Sequence, residues 1–297
     1  MLGSKIFEVF LGIVFLYLLL SLICSALNEF IARILSTRAK YLEAGIRTLL
    51  DDPAGKGLAE KFYAHPLIRG LAPSGKKPSY IPSRIFALVM MDIVVPEEKK
   101  STGFTISEFK ETVAKIPYAS VKRSLEIFLD SAQDKISEFR KSVEDWFDNT
   151  MQRTSGWYKR KTQLIILLLS LILTVLFNAD TFMMARSLWR DDAVRDTVAA
   201  AAEETVRREL EESELQPVER IKQIQHELSQ LPLPLGWSLV GSDSRGIPRG
   251  AVAWLAKILG LLFTVVAVSL GAPFWFDILN KVVNLRSSGI KPAPSVP

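Results

Sequence analysis

Three stretches of the chain carry neither charge nor a polar face. Residues 9–28 (VFLGIVFLYLLLSLICSALN), 162–179 (TQLIILLLSLILTVLFNA) and 258–276 (ILGLLFTVVAVSLGAPFWF) hold 20, 18 and 19 residues without one Asp, Glu, Lys, Arg or His. At 1.5 Å per helical residue each reaches roughly 27–30 Å, about the thickness of a bilayer's hydrocarbon. A helix buried in a soluble core shows a polar face at a spacing of 3.6 residues, and these show none. The pattern therefore predicts an all-α membrane protein with three transmembrane helices, a helical cytoplasmic domain and a helical extracytoplasmic loop. Its divisions are a short extracytoplasmic N-terminus over 1–8, spans over 9–28, 162–179 and 258–276, a cytoplasmic domain over 29–161, an outer loop over 180–257, and an interfacial helix with a disordered tail over 277–297.

Between the spans the periodicity changes. Leu35, Ala39, Leu42, Ile46 and Leu49 alternate steps of four and three, a heptad stripe that extends the first helix to Pro53 as one rod of roughly 60 Å projecting into the cytoplasm. Six prolines between 53 and 96 interrupt the next region, leaving SRIFALVMMDIV at 83–94 as a short helix. Helical signals return with Ser107 as a cap for EFKETVAKI. They strengthen over 131–150, where Ile136, Phe139, Val143, Trp146 and Phe147 mark one face. Ser155-Gly156 is the expected hinge between that helix and the second span. In the outer loop, AVRDTVAAAAEETVRRELEESEL at 193–215 favours helix, and LPLPLGW at 231–237 cannot continue one.

Charge then orients the chain. Ten Lys or Arg residues flank the ends assigned to the inner side, with WYKRK at 157–161 the densest group, against seven on the other side. The positive-inside rule accordingly places the N-terminus outside and the C-terminus in the cytoplasm. Residues 1–28 are read as a retained anchor. Their apolar run exceeds the 7–15 residues of a signal peptide, and Ile23 stands before Cys24 where a lipoprotein signal needs a small residue.

Composition narrows the chemistry. With 297 residues, a net charge of +5, one cysteine and two histidines, the chain has too small a basic excess for a nucleic-acid partner. It also lacks the donors for a disulfide framework or a thiolate or imidazole metal centre, so no cofactor is expected. No phosphate-binding, dinucleotide-binding, zinc-protease or hydrolase motif occurs. His65 reads as structural, and the basic tract KKPSYIPSR at 76–84 reads as a solvated turn, with a phosphate- or lipid-facing loop as its alternative. No catalytic residue is assigned. An enzyme would need ordinary carboxylates such as Asp92 or Asp277.

The remaining candidates are membrane features. Trp157, Tyr158, Lys159, Arg160 and Lys161, with Phe274, Trp275 and Phe276, are the expected interface anchors. Ser21 with Ser25, and Ala267 with Gly271, are small residues four apart that let helices approach closely. Asn28, Glu29, Asn178 and Asp180 close the first two spans, and they snorkel or cap unless they face a water path.

The strings FYAHPLI, KPSYIPSR, DNTMQRTSGWYKR, NADT and SLGAPFWFDILNKVVNLRSSG resemble those of a widespread family of bacterial inner-membrane proteins with no assigned activity. That resemblance implies an inner-membrane location and carries no function over. The expected role is a non-enzymatic, homo-oligomeric anchor or scaffold that sits in the lipid bilayer and recruits a cytoplasmic protein partner. An oligomeric ion channel or pore is the second expectation, and a membrane-bound enzyme the third.

Overall fold

The computed structural model describes residues 2–95, 106–132, 135–209, 233, 235–238 and 245–288. All regular structure among them is helical. Two helices, over Lys5–Ile34 and Ala251–Ser269, are long and apolar enough to cross a membrane, and a third span exists if two helices bent by 47° at their junction count as one. The chain divides into two compact units, residues 1–31 with 162–297 and residues 32–161.

The first unit contains α1 (Leu2–Ile34), the C-terminal part of α8 (Ile136–Leu176), α9 (Thr181–Arg190), α10 (Asp192–Glu209), α11 (Ala251–Ser269) and α12 (Ala272–Ser288). Its core is built around α1, whose Leu11, Val14, Phe15, Leu16, Leu18 and Leu19 are all buried. The aliphatic side chains of α8 beyond residue 163 and of α11 instead remain largely exposed, from Leu164 to Leu176 and from Val252 to Leu270. So continuous an apolar surface marks a face for lipid or for another protein.

Two elements depart from the expected layout. The loop helix α10 lies beside the first half of α1. Arg195 Nε donates to Glu8 Oε2 at 3.0 Å, and a methyl group on Gly12 would stand 3.4 Å from Val198. Asp192, Arg195 and Val198, about one turn apart on α10, thus meet Lys5, Glu8 and Gly12, about one turn apart on α1. The helix after α11, α12, places Leu279 and Val282 in this same core and contacts α10. The sequence had assigned α10 and α12 to opposite sides of the membrane. Their apolar stripes, Val198, Ala202 and Val206 on one and Leu279 and Val282 on the other, are instead buried together on α1.

Helix boundaries shift for local reasons. The predicted 60 Å rod breaks after Ile34, where Ser36 adopts left-handed φ 49°, and α2 (Thr37–Leu49) begins afresh. Leu35 is exposed while Ile46 and Leu49 are buried, so the lower half of the heptad stripe serves a core. The predicted hinge at Ser155-Gly156 is unbroken helix, and α8 runs 41 residues, about 62 Å. A single helical glycine costs only about 1 kcal/mol, too little to break a helix held along its length. The apolar helix expected as the third span is α11, Ala251–Ser269, which begins seven residues upstream of the predicted start, and the chain breaks at Gly271, φ 89°. Pro273 then sits in the first turn of α12, where a proline's missing N–H is harmless.

The second unit packs α2, α3 (Leu58–Ala64), α4 (Pro66–Arg69), α5 (Ser83–Val94), α6 (Ile106–Ala114) and α7 (Ala119–Ser131) against the first half of α8. Its α5 has the predicted bounds. Aromatic rings fill the centre: Phe86 stacks on Phe147 at 4.5 Å and meets Phe62 at 5.3 Å. Where the chain leaves α2, Asp52 organises the turn by accepting backbone N–H bonds from Gly57 at 2.8 Å, Gly55 at 2.9 Å and Ala59 at 3.0 Å. Burial by itself would raise its carboxyl, but these donors and that of Lys56 outweigh burial and hold it below the usual carboxylate value. A carboxylate with a depressed folded value adds stability above the unfolded value of about 3.9, and loses it as pH falls through the folded value. Asp52→Ala should therefore lower the denaturant midpoint of the full chain in mild detergent at pH 7. The gap from the unsubstituted protein should narrow below about pH 4, and an equal gap at pH 7 and pH 3 would contradict this role.

Candidate functional site

The junction between α8 and α9 carries the densest polar network of the first unit. Helix α8 ends at Leu176, Asn178 turns the chain with left-handed φ 49°, and Asp180 caps α9 by accepting from the N–H of Phe182 at 2.9 Å and of Met183 at 3.3 Å. Asn178 is fully buried. Its Nδ2 donates to the carbonyls of Gly236 at 3.0 Å and Arg245 at 3.1 Å, which ties the returning loop to the end of α8. Trp237 Nε1 donates to Val175 O at 2.9 Å on the same turn.

Across from Asp180, α11 presents Lys257. Both residues are 5% exposed, and Lys257 Nζ lies 3.4 Å from Asp180 Oδ2. The ammonium also stands 3.8 Å from Met183 Sδ and 5.3 Å from the centre of the Trp237 ring, so an anion, a soft sulfur and an aromatic face surround the cation. Gly260, one turn along α11, makes room: a Cβ there would fall 1.9 Å from Asp180 Oδ1. The network continues through hydroxyls. Thr181 Oγ1 is 2.9 Å from Thr264 Oγ1 on α11 and 2.7 Å from Tyr17 Oη on α1. The two apolar helices α1 and α11 are thereby cross-linked through α9 at one level by groups that lipid could not satisfy.

Beside the charge pair, α9, α11 and residues 246–249 line an open cavity of about 830 Å³. Arg186 and Arg249 line it together with Asp180 and Lys257, and Phe182, Ile247 and Val252 supply apolar wall. Since Lys257 is matched by Asp180, the two arginines leave the cavity cationic.

Of the residues predicted from sequence, Asn178 and Asp180 belong to this network, and neither snorkels. Asn28 is half-buried and Glu29 exposed, and Asn28 lies eleven residues along α1 from Tyr17, about 16 Å away. Ser21 donates to Val268 O at 3.2 Å and is buried, as is Ala267, which puts α1 and α11 in close contact. Ser25 is half-buried, and Gly271 forms the break before α12. Along α8, Trp157, Lys159, Arg160 and Lys161 are exposed, while Tyr158 meets Tyr41 edge-on at 5.6 Å. Phe274 is exposed and Phe276 half-buried. Trp275 is a packing residue: its ring lies 4.7 Å from Tyr17 and its Nε1 donates to Ala267 O at 2.6 Å.

Lys257 escapes the sequence pattern because the uncharged run begins at residue 258 and leaves the lysine as a flanking charge, and Gly260 carries no mark within that run. In the second unit His65 Nδ1 accepts from Leu67 N, so Nε2 carries the proton it shares with Asp92 Oδ2 at 3.2 Å. That pair holds α4 to α5. Asp277, the other carboxylate considered, is exposed. Among the described residues no group of three His, Cys, Asp or Glu side chains could hold a metal ion. The chain matches no protein-family model, no curated protein and no solved structure.

Removing one partner of a buried ion pair strands the other, at roughly 3–5 kcal/mol. Lys257→Met should destabilise the chain on that scale, and pairing it with Asp180→Asn, which keeps an oxygen for the cap, should restore most of the loss. Gly260→Ala should mimic Lys257→Met by displacing Asp180. Denaturant midpoints in detergent measure all three, and additive effects of Lys257→Met and Asp180→Asn would show that the two residues act separately.

Proposed function

We propose that the chain is an oligomeric anchor of the bacterial inner membrane, whose first unit self-associates in the bilayer and whose second unit, on the cytoplasmic side, recruits a protein partner. The observation that carries self-association is the division of the first unit's surface. One side is the aliphatic surface of α8 and α11. On another, α10 runs beside the first span with Asp196, Thr197 and Arg207 exposed, and Arg207 paired to Glu204 at 3.5 Å. Hydrocarbon cannot cover those charges without a penalty of several kcal/mol. A second copy covers them if the α10 faces meet around a symmetry axis, leaving α8 and α11 to the lipid. Small residues within the spans support close packing, and the basic WYKRK group on α8 supports the inward orientation of the second unit.

The resemblance to bacterial inner-membrane proteins agrees with this reading and does not supply it. Thr197→Cys in a Cys24→Ser background should form a disulfide-linked dimer on mild oxidation, whereas Ile258→Cys, on the lipid surface, should not. Mass measured in detergent should exceed that of one chain. A strict monomer without a Thr197→Cys cross-link would overturn the proposal.

One observation favours a pore as the second reading. The same α10 faces, turned toward an axis, would line a polar path at the depth of the first span. Conductance in planar bilayers should then appear and change its cation preference in Asp196→Asn, while ohmic silence at all voltages would leave the anchor alone.

A further inference from the structure

We infer that the cavity between α9 and α11 holds the phosphate of an anionic phospholipid head group, with the acyl chains lying along α11. The inference rests on α11 lying in the bilayer and is independent of the number of chains. Charge comes first. Lys257 is matched by Asp180 at 3.4 Å, so Arg186 and Arg249, both lining the cavity and both exposed, are the surplus. Two guanidinium groups at one opening are suited to a phosphate, whose oxygens accept paired N–H donors.

Shape adds a direction. The cavity of about 830 Å³ is within the range of small-molecule sites, and its apolar wall does not end at its rim. Val252 is 82% exposed, and from it Leu255, Leu259, Leu262 and Val266 continue an exposed stripe along α11 at steps of three and four. A free phosphate has no use for that track, whereas an acyl chain does.

Depth is the third argument. Trp189 on α9, Trp237 in the returning loop and Trp254 near the start of α11 are all exposed, on the elements that frame or adjoin the cavity. Exposed tryptophans in a membrane protein gather at the level of lipid head groups. Cations, tryptophans and the start of an aliphatic track thus coincide at one end of the first unit.

The test uses the purified full chain in non-ionic detergent, titrated with dihexanoylphosphatidylglycerol, with dihexanoylphosphatidylcholine and with inorganic phosphate, and followed by tryptophan fluorescence and thermal midpoint. The phosphatidylglycerol should bind saturably and at least tenfold more tightly than inorganic phosphate. The double substitution Arg186→Gln with Arg249→Gln should weaken it tenfold or more, while Arg190→Gln, an exposed arginine of the same helix outside the cavity, should not. Val252→Trp, which fills the cavity mouth and keeps both charges, should weaken lipid binding as well, so a folding defect in the arginine variant does not decide the matter. Equal binding of inorganic phosphate would overturn the lipid assignment, and binding that survives both the arginine pair and Val252→Trp would overturn the site. Chain mass is read separately, so a monomer that binds the lipid would sink the oligomer and leave this inference standing.

Discussion

A charge brought among apolar helices must find its counter-charge there, and much of the first unit is arranged by that requirement. Lys257 lies within a helix whose outward residues are almost all aliphatic. Its ammonium is tolerated because Asp180 reaches it across the gap to α9, and Asp180 is available because the chain bends at Asn178 and restarts with Asp180 as a cap. Capping alone is worth about 1 kcal/mol, well below the several kcal/mol at stake in stranding a buried ion. The pair, more than the cap, fixes where α9 meets α11, and Gly260 is the concession that lets the carboxylate in.

The same rule, applied to α10, has the opposite outcome. Arg195 is buried and satisfied by Glu8, Asp192 and the carbonyl of Leu188, so the inner side of that helix is settled within the chain. Its outer side keeps exposed charge at the level of a helix apolar enough to span a membrane. Internal pairing solves one half of the problem, and the proposed association of copies solves the other half.

Much of the fold was legible because apolar runs without a polar face have few alternatives. The apolar run over 9–28 and α5 follow directly from the pattern. Boundaries failed where a charge or a glycine was given its usual meaning. In the sequence Lys257 marks a membrane edge and sets the start of the expected third span seven residues too far along, because a one-dimensional reading cannot see that Asp180, 77 positions earlier, neutralises it. Gly156 suggested a hinge, yet nothing crowds it and the helix runs through. Ser36 gave no warning, since a left-handed residue without a glycine leaves no mark in composition. The site was half legible: Asn178 and Asp180 stood out as polar residues at a span end, but their partners lie in other elements.

The placement of α10 and α12 shows how far hydropathy reasoning reaches. Topology rules treat a loop as belonging to the side on which it emerges, which holds when the loop has no apolar face of its own. Here both segments are amphipathic, and each has a stripe that must be buried somewhere. α1 supplies the surface: because α8 and α11 already carry the aliphatic exterior, the first span is free to be enclosed, and helices with one polar side can complete its cover. A first helix mostly enclosed by its neighbours is therefore the condition under which two helices of mixed character can share its core.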